Sequence, residues 1–308
     1  MTDGLLPPAL RRALALLGPG ARRWLPRLLE PVTTASGDDR WGGSLLTPER
    51  FPVELSVSTA SPHTDRYATE FVSPARPPET RLAAGLERLE QIGLPLTDDR
   101  LPALPLLLDA HRRHPVLWGT WLAGRHDTHG DRFKLYAEVP KTAAVQVERE
   151  VARLIGARPF PLPEARLRLV GIDLTTGAVE RYHRVGHLTV ADLRLLTPRD
   201  LDPGQECLAD AVRDLLRRPA IDELPGFNVN VSLAPQALSV SAPALTWLGK
   251  DPEVRTRLLD HAARHGYDLR RYAALTALPP ATHQNRHGIL TVTAQVGPTA
   301  HLTIGFSP

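Results

Sequence analysis

The chain has 308 residues, of which 42% are hydrophobic and 23% charged, and its formal charge at pH 7 is +3. This composition is typical of a folded globular protein, and so small a positive excess does not argue for a nucleic-acid partner. No run of about 18 apolar residues is present to span a membrane, and Arg11 and Arg12 interrupt the N-terminal apolar stretch in which a secretory signal would lie. The single cysteine, Cys207, excludes an internal disulfide. We therefore expect a cytoplasmic protein without a membrane partner.

Six segments have the three-to-four spacing of apolar residues that predicts amphipathic helices. In the fourth, Val147 and Val151 share one face, while Glu148 and Glu150 face water. The segments are residues 8–28, 79–92, 98–113, 142–156, 189–217 and 253–275. The first, together with a polar connector, makes up residues 1–50.

Between the helices lie five pairs of strand-like runs, each pair joined by a link rich in Gly, Pro, Asp and Thr. Such links are typical of hairpins. The pairs are residues 51–59 with 66–72, 116–124 with 131–139, 165–173 with 178–186, 226–234 with 237–245, and 288–297 with 300–307. A parallel βα barrel would place one strand between helices, not two. The pattern therefore predicts a repeated unit of helices followed by a hairpin.

Apolar and polar residues alternate along these strands. In the first, Val53 and Leu55 share one face and Glu54 and Ser56 the other. The apolar faces need the helices as cover. The polar faces either lie in solvent, as in an open sheet, or line the inside of a closed barrel. The last two hairpins carry Asn, Ser, Thr, Gln and His there rather than Lys and Glu, which favours a hydrogen-bonding cavity.

We therefore predict an α/β fold in which a ten-stranded antiparallel β-barrel is surrounded by helices, as one domain over residues 1–308. The five hairpins and the helices between them occupy residues 51–308. On the third hairpin the alternation leaves the facing of Tyr182 and Arg184 unassigned.

Several strands also carry short motifs of a known family. They are PVELS with Glu54, DRFKLYAEVP with Lys134 and Tyr136, ARLRLVGID with Arg166 and Arg168, and the closing HLTIGFSP. In this order the chain resembles, over about residues 50–308, the aromatic prenyltransferases with the ααββ-repeat (ABBA) barrel, in particular the dimethylallyltryptophan synthase branch. Arg66 follows Glu54 at a distance that fits the same branch.

The resemblance implies metal-independent transfer of an allylic prenyl group from a prenyl diphosphate to an indole-like or phenolic acceptor, in specialised metabolism. It implies no cofactor, and only small molecules as partners. Glu54 is then the catalytic base. Trp118 and Trp121 would shield the allylic cation or contact the acceptor through their π-faces. The diphosphate-binding residues would be Arg66, Lys134, Tyr136, Arg166 and Arg168, since arginine and lysine donors suit a polyanion.

The chain departs from the family's motifs at Val170, Ser241 and Gly305, which stand where tyrosines are expected. Two other functions therefore stay open. One is an enzyme with the same barrel that carries out a non-prenyl reaction on a small polar or anionic molecule. The other is a non-catalytic small-molecule binding protein.

Two histidine pairs, His111 with His114 and His126 with His129, have the spacing of metal ligands. No motif supplies a third ligand for either pair. We therefore assign the first pair to a helix end and the second to a surface loop, and expect no metal site.

Overall fold

In the computed structural model, residues 6–33, 43–94, 96, 101–196, 204–218, 222–224, 229–234, 237–279, 285–295 and 299–308 are described. Within these ranges the chain forms ten β-strands and ten α-helices. No helix in the described part of the chain is long and apolar enough to cross a membrane.

The ten strands form one closed antiparallel barrel. Each strand pairs with its neighbours in sequence, and the first strand pairs with the last, which closes the sheet. The strands are β1 (Val53–Ser58), β2 (Asp65–Thr69), β3 (Thr120–Asp127), β4 (Gly130–Glu138), β5 (Arg166–Asp173), β6 (Val179–Val185), β7 (Val229–Ala234), β8 (Ala237–Pro243), β9 (His287–Gln295) and β10 (Ala300–Phe306). The predicted ten-stranded barrel is thereby confirmed.

Nine of the ten helices in the described residues overlap the predicted segments, three of which contain two helices each, whereas the short helix Ala244–Leu248 lies outside them. Leu17 is extended and ends the first helix, and Gly266, with a φ of 66°, ends the ninth in the left-handed conformation that glycine tolerates. The helices are α1 (Pro8–Leu16), α2 (Pro19–Thr33), α3 (Pro78–Gln91), α4 (Leu104–Arg113), α5 (Ala144–Leu154), α6 (Val190–Leu196), α7 (Gly204–Leu216), α8 (Ala244–Leu248), α9 (Asp251–His265) and α10 (Arg270–Ala277).

Several strand ends differ from the prediction, two of them with consequences for neighbouring residues. The second strand of the fourth hairpin was expected to reach residue 245, but β8 ends at Pro243, which caps α8. Proline has no N–H for the sheet ladder and suits the start of a helix. In the second hairpin, β3 extends to Asp127 and pairs there with Gly130, so most of the predicted loop is strand.

The longer β3 also overturns the surface-loop assignment of His126. Its side chain is buried on the outer face of the barrel, where Nδ1 lies 2.7 Å from Oδ1 of Asp131 and Nε2 lies 3.1 Å from the Tyr67 hydroxyl. His111 is also buried, and its Nε2 lies 2.7 Å from the carbonyl oxygen of Glu138. Both rings are therefore structural hydrogen-bonding groups.

The hydrophobic core lies between the barrel and the helices. On β1, Val53, Leu55 and Val57 are at most 2% exposed and belong to one apolar cluster with Leu25 and Leu28 of α2. Burial of each such side chain contributes about 1.5–3 kcal/mol. Since the outer faces of the strands are used in this way, their polar faces point into the barrel.

Candidate functional site

The inside of the barrel contains a cavity of about 210 Å³. Its walls come from side chains at alternate positions of the strands, so the period-two pattern places charged and hydroxyl groups inside. One part of the wall carries carboxylates, cations and tyrosines from β1 to β6. The other carries the hydroxyl side chains of Ser232, Ser239, Ser241, Thr291, Thr293 and Thr303.

Glu54 lines this cavity from β1. Its Oε1 atom is buried and has no hydrogen-bond partner among the described residues. Burial raises the pKa of the carboxyl group to about 7, and a hydrogen bond from the backbone N–H of Ile289 opposes the rise only in part. A carboxyl group with such a pKa can accept or donate a proton near neutral pH, which is what a general base requires.

Two glycines make room for this carboxylate. A Cβ atom at Gly305 would lie 2.5 Å from Oε1 of Glu54, and one at Gly288 would lie 2.3 Å from it. Side-chain atoms do not approach so closely, so neither position can carry a larger residue while Glu54 stays where it is. The glycine at the expected tyrosine position 305 is therefore part of how this chain places its carboxylate.

Three arginines lie side by side near the cavity. Strand register places Arg125 of β3 opposite both Arg66 of β2 and Arg132 of β4. Arg66 and Arg125 line the cavity. Burial, followed by the charges of Arg125 and Arg132, lowers the pKa of Arg66 to about 10. Arg66 donates one hydrogen bond, to Ser61, while its buried Nε has no partner among the described residues. Arg132 already forms an ion pair with Asp127, but the like charges of Arg66 and Arg125 destabilise each other unless an anion lies between them.

Lys134 is also inside the barrel, but its charge is already paired. Its ammonium group forms an ion pair with Glu180 of β6, which lines the cavity. Burial alone would lower the pKa of Lys134, but the neighbouring carboxylate raises it above its usual value. The same pair lowers the pKa of Glu180 despite burial. Both groups are thus charged, and together they add no net charge to the lumen.

The rings of two tyrosines face the lumen. The rings of Tyr136 and Tyr182 meet edge to face with centroids 5.6 Å apart, and the Tyr182 hydroxyl donates to that of Tyr136 at 3.5 Å. Gly171 of β5 lies beneath both rings, where a Cβ atom would be 3.1 Å and 3.2 Å from them. Burial and the Glu180 carboxylate raise the pKa of Tyr182, so its hydroxyl stays protonated. The two tyrosines thus present aromatic π-faces and hydroxyl donors next to the arginines.

The structure separates Arg166 and Arg168 from the other predicted cations. They lie at the start of β5 beside Arg184 of β6, with a β-bulge between Leu167 and Leu169, and neither is among the residues that line the cavity. Burial and the neighbouring Arg166 lower the pKa of Arg168. The predicted cations therefore form two groups.

Strand pairing shows why the groups are apart. Opposite Lys134 and Tyr136, β5 presents Asp173 and Gly171, not the two arginines. Val170, at one expected tyrosine position, is buried on the outer face of the barrel and has no access to the lumen.

The two predicted tryptophans stack on each other at the start of β3. The ring centroids of Trp118 and Trp121 are 3.7 Å apart and their planes differ by 10°. Trp121 pairs with Tyr136 in the strand register, and its buried indole nitrogen has no hydrogen-bond partner among the described residues. The backbone N–H of Trp118 donates to Glu138 at 2.7 Å. Neither ring lines the cavity directly, so the tyrosine pair is the nearer aromatic surface.

Sequence reasoning did not find Arg125, Glu180 or Gly171. Arg125 was assigned to a loop, and the pairing of Glu180 with Lys134 across β5 depends on the strand register. The facing of Tyr182 and Arg184 could not be assigned because both faces of β6 carry polar residues: Arg181 and His183 on the outer face pair with Glu148 of α5.

No protein-family model matches the chain, and no curated protein matches it. Among solved structures, prenyltransferase PriB, in a complex with L-tryptophan and dimethylallyl thiolodiphosphate, matches with a TM-score of 0.78 at 19% identity, over 99% of this chain and 95% of that one. The 5-dimethylallyl tryptophan synthase from Streptomyces coelicolor matches with 0.75 at 20% identity, over 99% and 93%. The 6-dimethylallyltryptophan synthase from Micromonospora olivasterospora matches with 0.66 at 20%, over 92% and 94%. The chain thus has the ABBA barrel fold of these prenyltransferases.

Proposed function

We propose that this chain is an aromatic prenyltransferase of specialised metabolism, which moves an allylic group from a prenyl diphosphate to an indole-like or phenolic acceptor. The observation that carries the proposal is the closed lumen that combines Glu54, whose pKa is near neutral, with Arg66, Arg125 and the Tyr136–Tyr182 pair. PriB and the 5-dimethylallyl tryptophan synthase were solved with tryptophan and an allylic thiodiphosphate, which supports these classes of acceptor and donor.

On the donor side, Arg66 and Arg125 hold the diphosphate, and Lys134, although paired with Glu180, is a further donor beside them. The allylic C–O bond breaks and its electron pair leaves with the diphosphate, which gains negative charge in the transition state. Preorganised cations in a cavity of low dielectric stabilise that charge as it develops. We propose that they take the place of a metal ion and that no cofactor takes part.

On the acceptor side, the allylic cation lies against the π-faces of Tyr136 and Tyr182, with Trp121 beside them. A ring carbon of the acceptor attacks the cation and forms the new C–C bond. Ionised Glu54 accepts a hydrogen bond from the acceptor's N–H or O–H, which makes the ring more electron-rich. Loss of the proton from the attacked carbon restores aromaticity, so the reaction releases diphosphate and one proton.

A second function has its own support. The hydroxyl side chains of β7 to β10 bond to one another, as in Ser239 with Thr293 at 2.8 Å and Ser241 with Thr291 at 2.9 Å. Such a neutral, hydrogen-bonding wall would suit a small polar ligand. This favours, as the alternative, a repurposed barrel enzyme or a binding protein.

Calorimetric titration with dimethylallyl and geranyl thiodiphosphate separates the two. The proposed enzyme binds one of them at micromolar concentration without metal, and magnesium adds little to the affinity. If neither compound binds with or without magnesium, the prenyltransferase proposal is wrong and the alternative is favoured.

Replacement of Glu54 then tests the base. With tryptophan or indole as acceptor, Glu54→Gln should lower turnover by about 100-fold or more, in the range of general-base effects, while thiodiphosphate affinity stays within about twofold of the parent. Turnover of the parent should rise with pH through about 7, where Glu54 ionises. Full turnover in the variant would contradict the assignment of the base.

A further inference from the structure

Outside the barrel, α7 and α9 bring together three side chains that suit a metal ion. His261 and His265 lie one turn apart on α9, and Asp214 lies on α7. One donor atom from each lies within 4.8 Å of the others. Oδ2 of Asp214 is 2.6 Å from Nε2 of His265 and 2.9 Å from Nδ1 of His261. Both rings therefore point at one carboxylate oxygen.

The ring of His261 is buried, and its Nδ1 atom has no hydrogen-bond partner among the described residues. Its side chain is 4% exposed, and although Nδ1 is near Asp214, the geometry is not that of a hydrogen bond, so the atom has no partner among the described residues. A neutral imidazole with a free lone pair is the form that binds a metal.

We propose that Asp214, His261 and His265 bind a Zn²⁺ ion. Two histidines at i and i+4 on one helix face, with a carboxylate from a second helix, are a ligand set that zinc accepts, and three protein ligands leave a fourth position for water. Tetrahedral zinc at these bond lengths places its ligand atoms about 3.3 Å apart, so small side-chain rotations complete the site. The three side chains line a groove of about 580 Å³ whose other residues come mainly from α7 and the start of β10.

The arginines around this groove do not prevent the binding of a cation. Arg264 donates to Oδ1 of Asp214 at 2.6 Å, which orients the carboxylate and leaves Oδ2 for the ion. Arg213 and Arg217 are paired with Asp210 and Asp260, respectively. The charges of Arg213 and Arg217 are thus largely neutralised by carboxylates that are not ligands, whereas Arg264 is paired with the ligand Asp214 itself and Arg218 also lines the groove.

The site is separate from the lumen, since none of its three residues lines the barrel cavity. The ion would join α7 to α9 and stabilise the folded chain by mass action. This inference does not rest on the proposed function, and it leaves the proposed transfer reaction independent of metal.

The test uses the full-length protein, stripped of metal with a chelator and then titrated with Zn²⁺ by calorimetry and with Co²⁺ by visible absorption. Asp214→Asn and His265→Ala are suitable variants because these side chains are 36% and 39% exposed, so the fold should tolerate the changes. His187→Ala is the matched control, since His187 forms an exposed pair with Glu223 and the described residues supply no third ligand there.

We expect one Zn²⁺ per chain, strong visible bands of four-coordinate Co²⁺, and a thermal midpoint that rises by several degrees with Zn²⁺. Both site variants should lose at least 100-fold in zinc affinity, while His187→Ala keeps the parent's affinity. Absence of stoichiometric binding by the parent would overturn the proposal, and so would unchanged binding by His265→Ala. Either result would leave the three side chains as a hydrogen-bonding cluster that joins two helices.

Discussion

At the scale of single residues, the surroundings of Glu54 determine its chemistry. Alternation along β1 predicts that this side chain faces inward, but it does not predict the pKa. The pKa of about 7 arises because the carboxyl group is buried against Gly288 and Gly305, with one backbone N–H as donor. These glycines come from the opposite end of the chain, so the sequence around residue 54 contains no sign of them.

The raised pKa of Glu54 makes stability depend on pH. Because the folded-state pKa lies above the ordinary glutamate value of 4.5, the folded protein holds this proton more tightly than the unfolded chain does. The resulting stability is fully present below about pH 4.5 and is lost as the pH rises to about 7; its size is about 3 kcal/mol. Glu54→Gln cannot ionise and should not lose it.

Urea unfolding of the parent and of Glu54→Gln at several pH values measures this effect. Between pH 4.5 and 8 the parent should lose up to about 3 kcal/mol of unfolding free energy relative to the variant. All other titrating groups are shared by the two proteins, so they cancel in the difference. Parallel pH curves would show that Glu54 ionises at an ordinary pKa.

At the scale of elements, the sequence predicts which strands exist better than it predicts which residues they bring together. Periodicity identifies all five hairpins, and the structure places Lys134 and Tyr136 on the inner face of β4. The sequence places Arg125 in a loop because the Gly, Asp and Thr residues after it suggest an early turn. The sequence also does not show the register of β5, which places Asp173 and Gly171 opposite Lys134 and Tyr136 and leaves Arg166 and Arg168 farther along the strand.

The two arginine groups can be compared directly. Arg125→Ala removes a cation that lines the cavity, whereas Arg168→Ala removes one at the start of β5. We expect dimethylallyl thiodiphosphate to bind at least about tenfold more weakly to Arg125→Ala, since charge-assisted hydrogen bonds contribute about 1.5–3 kcal/mol. Arg168→Ala should stay within about twofold of the parent, which makes it the matched control.

Calorimetry on the two purified variants provides the measurement, with circular dichroism to confirm that both remain folded. A larger loss in Arg168→Ala than in Arg125→Ala would contradict this assignment. The donor would then lie beside Arg166, Arg168 and Arg184.

At the scale of the whole molecule, closure of the barrel turns a polar sheet face into an interior. Pairing of β1 with β10 leaves no exposed sheet edge, and the helices cover the outer apolar face. This architecture follows from repetition and alternation, which the sequence shows plainly. The contents of the lumen depend instead on register around the closed sheet, because each strand's position relative to its neighbours decides which side chains meet.

Charges inside a closed barrel must also be balanced. The ion pair between Lys134 and Glu180 does this across β5. Replacing Lys134 by Met leaves the Glu180 carboxylate without its partner, and loss of one member of a buried ion pair costs roughly 3–5 kcal/mol. The double variant Lys134→Met with Glu180→Gln contains neither charge. It should therefore regain most of the lost stability.

Thiodiphosphate affinity distinguishes charge balance from ligand binding in the same variants. If Lys134 also holds the diphosphate, the double variant should unfold at nearly the parent's urea midpoint yet bind dimethylallyl thiodiphosphate about tenfold more weakly, because one charge-assisted donor is missing. Parent-like affinity in the double variant would limit Lys134 to balancing Glu180. A double variant as unstable as Lys134→Met would show that the ion pair is not what stabilises this part of the barrel.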